Sequence, residues 1–170
     1  MLKYTIAEVV FREIPDEITL AINISGCPIH CPDCHSKDLW KDKGKDLSQR
    51  ALERLINENP GITCVAFMGG DSDPDCVGML SEAIKAHYSE LKIAWYSGKE
   101  SIPPNFKYLS YLDYLKLGPF IKEKGPLDNP STNQRLYQLG DDNEFILENG
   151  SSSSGRAITD ITYKFWNKES

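Results

Sequence analysis

The segment Ser25-Gly26-Cys27-Pro28-Ile29-His30-Cys31-Pro32-Asp33-Cys34-His35 sets three thiols at x3 then x2 spacing in a loop tightened by a glycine and two prolines. Thiolates suit iron–sulfur clusters and zinc. A 4Fe–4S cubane has four irons, so ligation by Cys27, Cys31 and Cys34 leaves one iron open to an exogenous ligand. The same logic separates open catalytic metal sites from closed structural ones. A second reading is a Cys3His zinc site that recruits His35, although neighbouring Cys and His residues seldom chelate one ion comfortably. His30 and His35 read instead as loop-packing groups or donors to sulfur, which tune a cluster's potential. Five cysteines in all, an odd number with three inside eight residues, suit metal ligation in a reducing compartment better than a disulfide framework. Cys64 and Cys76 stand apart and read as small buried hydrophobes.

Two further spots carry chemistry. Gly69-Gly70-Asp71 is weak by itself, because paired glycines mark many turns, yet glycine also lets backbone approach a ligand closely. Ser97-Gly98 reads equally as a ligand contact and as an ordinary strand-ending turn.

The elements that must position these residues are legible around them. Ile18, Leu20, Ile22 and Ile24 alternate with Thr19, Ala21, Asn23 and Ser25, the period of a strand, and this strand runs directly into the cysteine loop. Ser48 caps a helix with a Leu52, Leu55, Ile56 stripe that stops at Pro60-Gly61. Thr63 to Met68 follows as a strand. Asp73-Pro74 reads as N-cap and first helical residue for a helix carrying Val77, Leu80, Ile84 and His87, and Leu91 to Tyr96 returns as a strand. Strand, helix, strand, helix, strand favours parallel pairing with active loops at the carboxyl ends, so Cys27, Gly69 and Ser97 should share one rim. Beyond it, Leu112–Leu117, Gln134–Leu139 and Ala157–Phe165 read as strands. A long loop lies between the first two of these, and residues 149–156 read as a flexible connection.

Cys27-x3-Cys31-x2-Cys34 after a first strand resembles the signature of the radical S-adenosylmethionine superfamily. The resemblance implies an α/β fold, a small partial (βα) barrel with mostly parallel strands; the length and composition suit one domain over residues 1–170. The resemblance also implies a 4Fe–4S cluster and S-adenosylmethionine as cofactors. Gly69 and Gly70 would accept hydrogen bonds from the cofactor's amino group, with Asp71 where the related motif often carries an acid. Asp33, Cys34 and His35 would contact its adenosyl part, and Ser97 would be a further contact. Asp33 replaces the aromatic residue frequent at its position.

More narrowly, Cys27–Trp40, Phe67–Asp71, Tyr111–Phe120 and Thr132–Leu139 resemble the activating proteins of anaerobic ribonucleoside-triphosphate reductase, with Gly118-Pro119-Phe120 and Thr132-Asn133-Gln134-Arg135 as the more specific echoes. Leu117 stands where that family commonly has an acid, and Arg135 reads either as ordering the late loop, as facing a partner, or as a surface ion pair. The implied activity is reductive cleavage of the cofactor to a deoxyadenosyl radical that abstracts hydrogen from a glycine of the reductase. The implied partners are that reductase and an electron donor such as flavodoxin or ferredoxin. No residue is assigned as a catalytic acid or base, since hydrogen-atom abstraction needs none. Another glycyl-radical enzyme, a small-molecule substrate or a zinc-held interaction module are the alternatives.

Composition narrows the field. A formal charge of -6 and a pI near 5.1 argue against nucleic acid or an anionic membrane as partner. No apolar run nears the roughly 20 residues of a membrane span, and charges at Glu8, Arg12 and Glu13 come too early for a secretory signal, so the expected location is cytoplasmic.

Overall fold

A computed structural model of the chain describes residues 1–140 and 158–166, together with the backbone of 145–146 and 152–153. Four strands form a parallel core: β2 (Thr19–Ile24), β4 (Cys64–Met68), β5 (Lys92–Tyr96) and β6 (Tyr114–Leu117). Two antiparallel strands flank β2, namely β1 (Lys3–Val10) beside it and β3 (Lys45–Asp46) outside β1. On the other side β7 (Arg135–Leu139) pairs antiparallel with β6, and β10 (Ile158–Asp160) pairs antiparallel with β7. A separate antiparallel pair joins β8 (Phe145–Ile146) to β9 (Ser152–Ser153). The remainder of the expected flexible connection at 149–156 lies outside the described residues.

This corrects the expectation of a mostly parallel barrel. Four of the seven pairings in the main sheet are antiparallel, and among the described residues β3 and β10 are open edges. The connections into β4, β5 and β6 join parallel neighbours and so cross over the sheet. The chain enters β2 and leaves β6 by direct reversals, which produce antiparallel neighbours. No element was expected before Ile18. The register shift between Tyr4 and Ile6 interrupts the two-residue period that would have announced β1.

Both helices lie where their caps place them. Ser48 Oγ accepts the Ala51 amide at 3.1 Å and starts α1 (Gln49–Glu58), which buries Leu52, Leu55 and Ile56. Asp73 Oδ1 accepts the Cys76 amide at 3.1 Å and starts α2 (Pro74–His87), with Pro74 in the first turn. The helices cover the sheet face formed by Leu20, Ile22, Val65, Phe67, Ile93, Trp95 and Leu115. The opposite face is not solvent-exposed, as simple alternation in β2 would suggest. Cys64, Ala66, Ala94 and Tyr114 are buried there against Ile14, Leu136 and Ile161, the two-sided burial common to parallel strands.

The last expected strand, Ala157–Phe165, is shorter than its pattern. Asp160 Oδ1 accepts both the amide and the hydroxyl of Thr162, at 2.9 and 2.6 Å, and this local capping turns the chain into a 3-10 helix over Thr162–Phe165. No helix of the described residues is long and apolar enough to cross a membrane.

Candidate iron–sulfur site

The four parallel strands point one way, so their carboxyl ends form a single rim bearing Ser25-Gly26-Cys27, Gly69-Gly70-Asp71, Ser97-Gly98 and Gly118-Pro119. The cysteine loop is fastened to this rim by its backbone. Cys27 N–H donates to Leu39 O at 3.0 Å, Gly26 N–H to Lys41 O at 3.2 Å, and Cys34 N–H to Cys31 O at 3.0 Å. His30 adopts φ 52°, a left-handed turn that histidine tolerates better than most residues, and its ring stacks on Trp40 at 4.6 Å. Ile29 packs on Gly98, where a Cβ would come within 2.8 Å of Ile29 Cγ1. His35 meets Phe120 at 5.2 Å. The loop is therefore gripped on two flanks, by the turn after β5 and by the segment after β6.

The residues singled out from the sequence fall as follows. Cys27, Cys31 and Cys34 are free thiols of intermediate exposure, whereas Cys64 and Cys76 are buried. Asp33 and His35 are exposed on the loop. Gly69 and Gly70 have φ of 115° and 102°, and Gly70 has no room for a Cβ, which would lie 2.6 Å from Val77 Cγ2. Their carbonyls already accept protein donors: Gly69 O takes Trp95 Nε1–H at 2.9 Å and Gly70 O takes the Asp73 amide at 3.1 Å. Asp71 and Ser97 are brought together, both buried, with Ser97 Oγ donating to Asp71 Oδ1 and Gly98 N–H to Asp71 Oδ2 at 2.8 Å. Asp71 thus ties two rim turns to each other.

The sequence reading missed Lys116. Its side chain is 8% exposed, and its ammonium donates to Gly118 O at 2.7 Å and Ser97 O at 3.3 Å while lying 5.9 Å from the Tyr96 ring centroid. Burial pushes its pKa down to about 8, against the upward pull of Asp71 and of the thiols of Cys31, Cys27 and Cys34. A lysine inside the apolar run Tyr114–Leu117 was the available signal. Leu117, by contrast, packs against the helix-side core.

The segments behind the narrower resemblance support one another. Asn133 Nδ2 donates to Pro119 O at 3.0 Å, and Thr132 Oγ1 accepts the Gln134 amide at 3.0 Å. Arg135 pairs with Asp160 at 3.7 Å and lies over the Trp166 ring, so it links β7 to β10 and the turn beyond.

The donor set fits a cubane. A cubane spreads three thiolates over three irons. Ser36 N–H donates to Cys34 Sγ at 3.3 Å, and Trp40 Nε1–H is buried beside the loop with no acceptor. Cluster sulfurs accept such donors.

A mixed α/β sheet whose parallel core presents three free thiols on one rim loop offers a thiolate site of the kind that holds iron–sulfur clusters or zinc. The chain belongs to the 4Fe-4S single cluster domain family, whose model matches residues 18–137. That span takes in the cysteine loop and every rim turn described above, and its cofactor is a 4Fe–4S cluster. No curated protein and no solved structure matches the chain.

Proposed function

We propose that this protein is a radical S-adenosylmethionine enzyme that activates anaerobic ribonucleoside-triphosphate reductase. The observation that carries the reading is the Cys27-x3-Cys31-x2-Cys34 loop on the rim beside Gly69-Gly70-Asp71, with three thiols for a four-iron cluster. Held by these cysteines, such a cluster would supply the one-electron reduction that cleaves S-adenosylmethionine to methionine and a deoxyadenosyl radical able to take a hydrogen atom from carbon.

The chain's own residues do the rest. Cys27, Cys31 and Cys34 would hold the cluster. Gly69 and Gly70 bring carbonyls close to the cofactor's amino group, each carbonyl having a second lone pair beyond its protein donor. Asp33 through His35 border the adenosyl part, and Ser97 with Asp71 fixes the neighbouring turns. The substrate is a glycine in a segment of the reductase, and an open-edged sheet gives such a backbone a lateral approach. The electron comes from a small carrier of the flavodoxin or ferredoxin class.

Anaerobic reconstitution, followed by reductant, S-adenosylmethionine and the reductase, should yield a glycyl-radical doublet by electron paramagnetic resonance, and the doublet should require all three cysteines. Cofactor cleavage without the doublet would keep the radical chemistry and reject this partner in favour of another glycyl-radical enzyme or a small molecule. Neither signal, in a protein carrying zinc, would favour an interaction module.

A further inference from the structure

We propose that the buried ammonium of Lys116 sets the reduction potential of the cluster held by Cys27, Cys31 and Cys34, an inference that rests on the cluster reading above.

The geometry is local. Lys116 Nζ is held by two carbonyls, Ser97 O and Gly118 O, and the two turns that carry them are the ones gripping the cysteine loop, through Gly98 against Ile29 and Phe120 against His35. The loop gripped in this way carries all three thiols. Two of its three N–H donors are accounted for by those carbonyls. The remaining donor is fixed in a site from which solvent is largely excluded, where a charge is screened far less than at the surface.

Reduction by an external one-electron donor adds one negative charge to the cluster and consumes no proton. Below the pH at which Lys116 loses its proton, its positive charge stabilises the reduced form more than the oxidised form and so raises the potential; net charge near a cluster is one of the determinants of its potential. Asp71, the carboxylate of the β4 turn that accepts from Ser97 Oγ and the Gly98 amide, acts with the opposite sign. Lys116 touches neither thiol nor substrate in this account and is a positioning residue for charge.

The test is a redox titration of the reconstituted protein followed by electron paramagnetic resonance, with iron and sulfide content measured alongside. Lys116→Gln keeps a donor for Gly118 O and removes the charge. It should assemble the same cluster and lower the equilibrium constant for one-electron reduction about tenfold, ~59 mV. Lys116→Arg should stay near wild type, and Asp71→Asn should move the potential upward. If Lys116→Gln falls out of solution, Lys116→Met supplies the neutral variant. A wild-type potential in both neutral variants would overturn the inference, as would an equal drop in Lys116→Arg. An unchanged potential with weakened S-adenosylmethionine binding would overturn it in favour of a cofactor-anchoring lysine. Wild-type protein that holds no 4Fe–4S cluster would instead remove the reading on which the inference rests.

Discussion

Substituting Asp71 by Asn tests whether the rim is held together as described. Both carboxylate oxygens of Asp71 are engaged, Oδ1 by Ser97 Oγ–H and Oδ2 by Gly98 N–H at 2.8 Å, and the side chain is buried. Asparagine offers one oxygen. Whichever donor keeps it, the new NH2 group faces the other, so one hydrogen bond to a charged acceptor is lost and a buried donor is left unsatisfied. A bond to a charged group contributes about 1.5–3 kcal/mol, and an orphaned buried group costs about 1–3 kcal/mol. Because the two overlap in one contact, the expected loss is about 3 kcal/mol. Lys116 also loses the negative charge that raises its pKa. Ser97→Ala removes the hydrogen bond to the same carboxylate and the acceptor of the Lys99 amide and should cost about 1.5–3 kcal/mol. The double variant should therefore be more stable than the sum of the two single losses implies. Guanidinium unfolding of the reduced apoprotein, followed by tryptophan fluorescence, reads all three. An Asp71→Asn loss below about 0.5 kcal/mol, the range of an ordinary surface substitution, would refute the tie between the β4 and β5 turns.

Three further outcomes follow from the same physics. The buried lysine makes apoprotein stability pH-dependent at the alkaline end. Lys116 titrates at about 8 when folded and at the ordinary lysine value when unfolded, so between these the unfolded chain binds more protons. Stability should rise by about 3 kcal/mol across that window, and Lys116→Met should abolish the rise in a pH series of denaturant melts. At the acid end, burial works to raise the Glu17 pKa, but hydrogen bonds from Lys92, Thr63 and Tyr114 outweigh it and hold the carboxyl below its usual range. The stability this confers is present above the unfolded pKa and lost as pH falls through the folded one. Glu17→Gln should cost about 2 kcal/mol near neutrality and flatten the acid limb. Gly78 on α2 leaves room for the Tyr108 ring, since a Cβ there would lie 2.0 Å from its Cδ2. Gly78→Ala should lower stability by about 1–3 kcal/mol in thermal or denaturant unfolding, although alanine is the better helix former.

The sequence by itself marked where a thiol-rich loop suited to an iron–sulfur cluster falls. Three thiols within eight residues need no fold to announce a metal site, and the strand that precedes them, the Ser48 and Asp73 caps and the turns at Gly69 and Ser97 are local signals read within a few residues. Pairing direction was less legible. Period-two patterns locate strands without naming their neighbours, and β1 lost even its period to the irregularity between Tyr4 and Ile6. Burial on the helix-free face was hidden for the same reason: Cys64, Ala66 and Ala94 are covered by Ile14, Leu136 and Ile161, residues far away along the chain. Tertiary structure alone decided that Asp71, Ser97 and Lys116 meet. They come from the ends of three different strands, 26 positions apart for Asp71 and Ser97 and 19 for Ser97 and Lys116, and only the parallel alignment of β4, β5 and β6 brings them to one rim. A charge inside an apolar strand is a marked cost in a chain and acquires a partner only in a fold. For that reason the thiols could be read from their spacing, while the buried ammonium behind the rim turns could not.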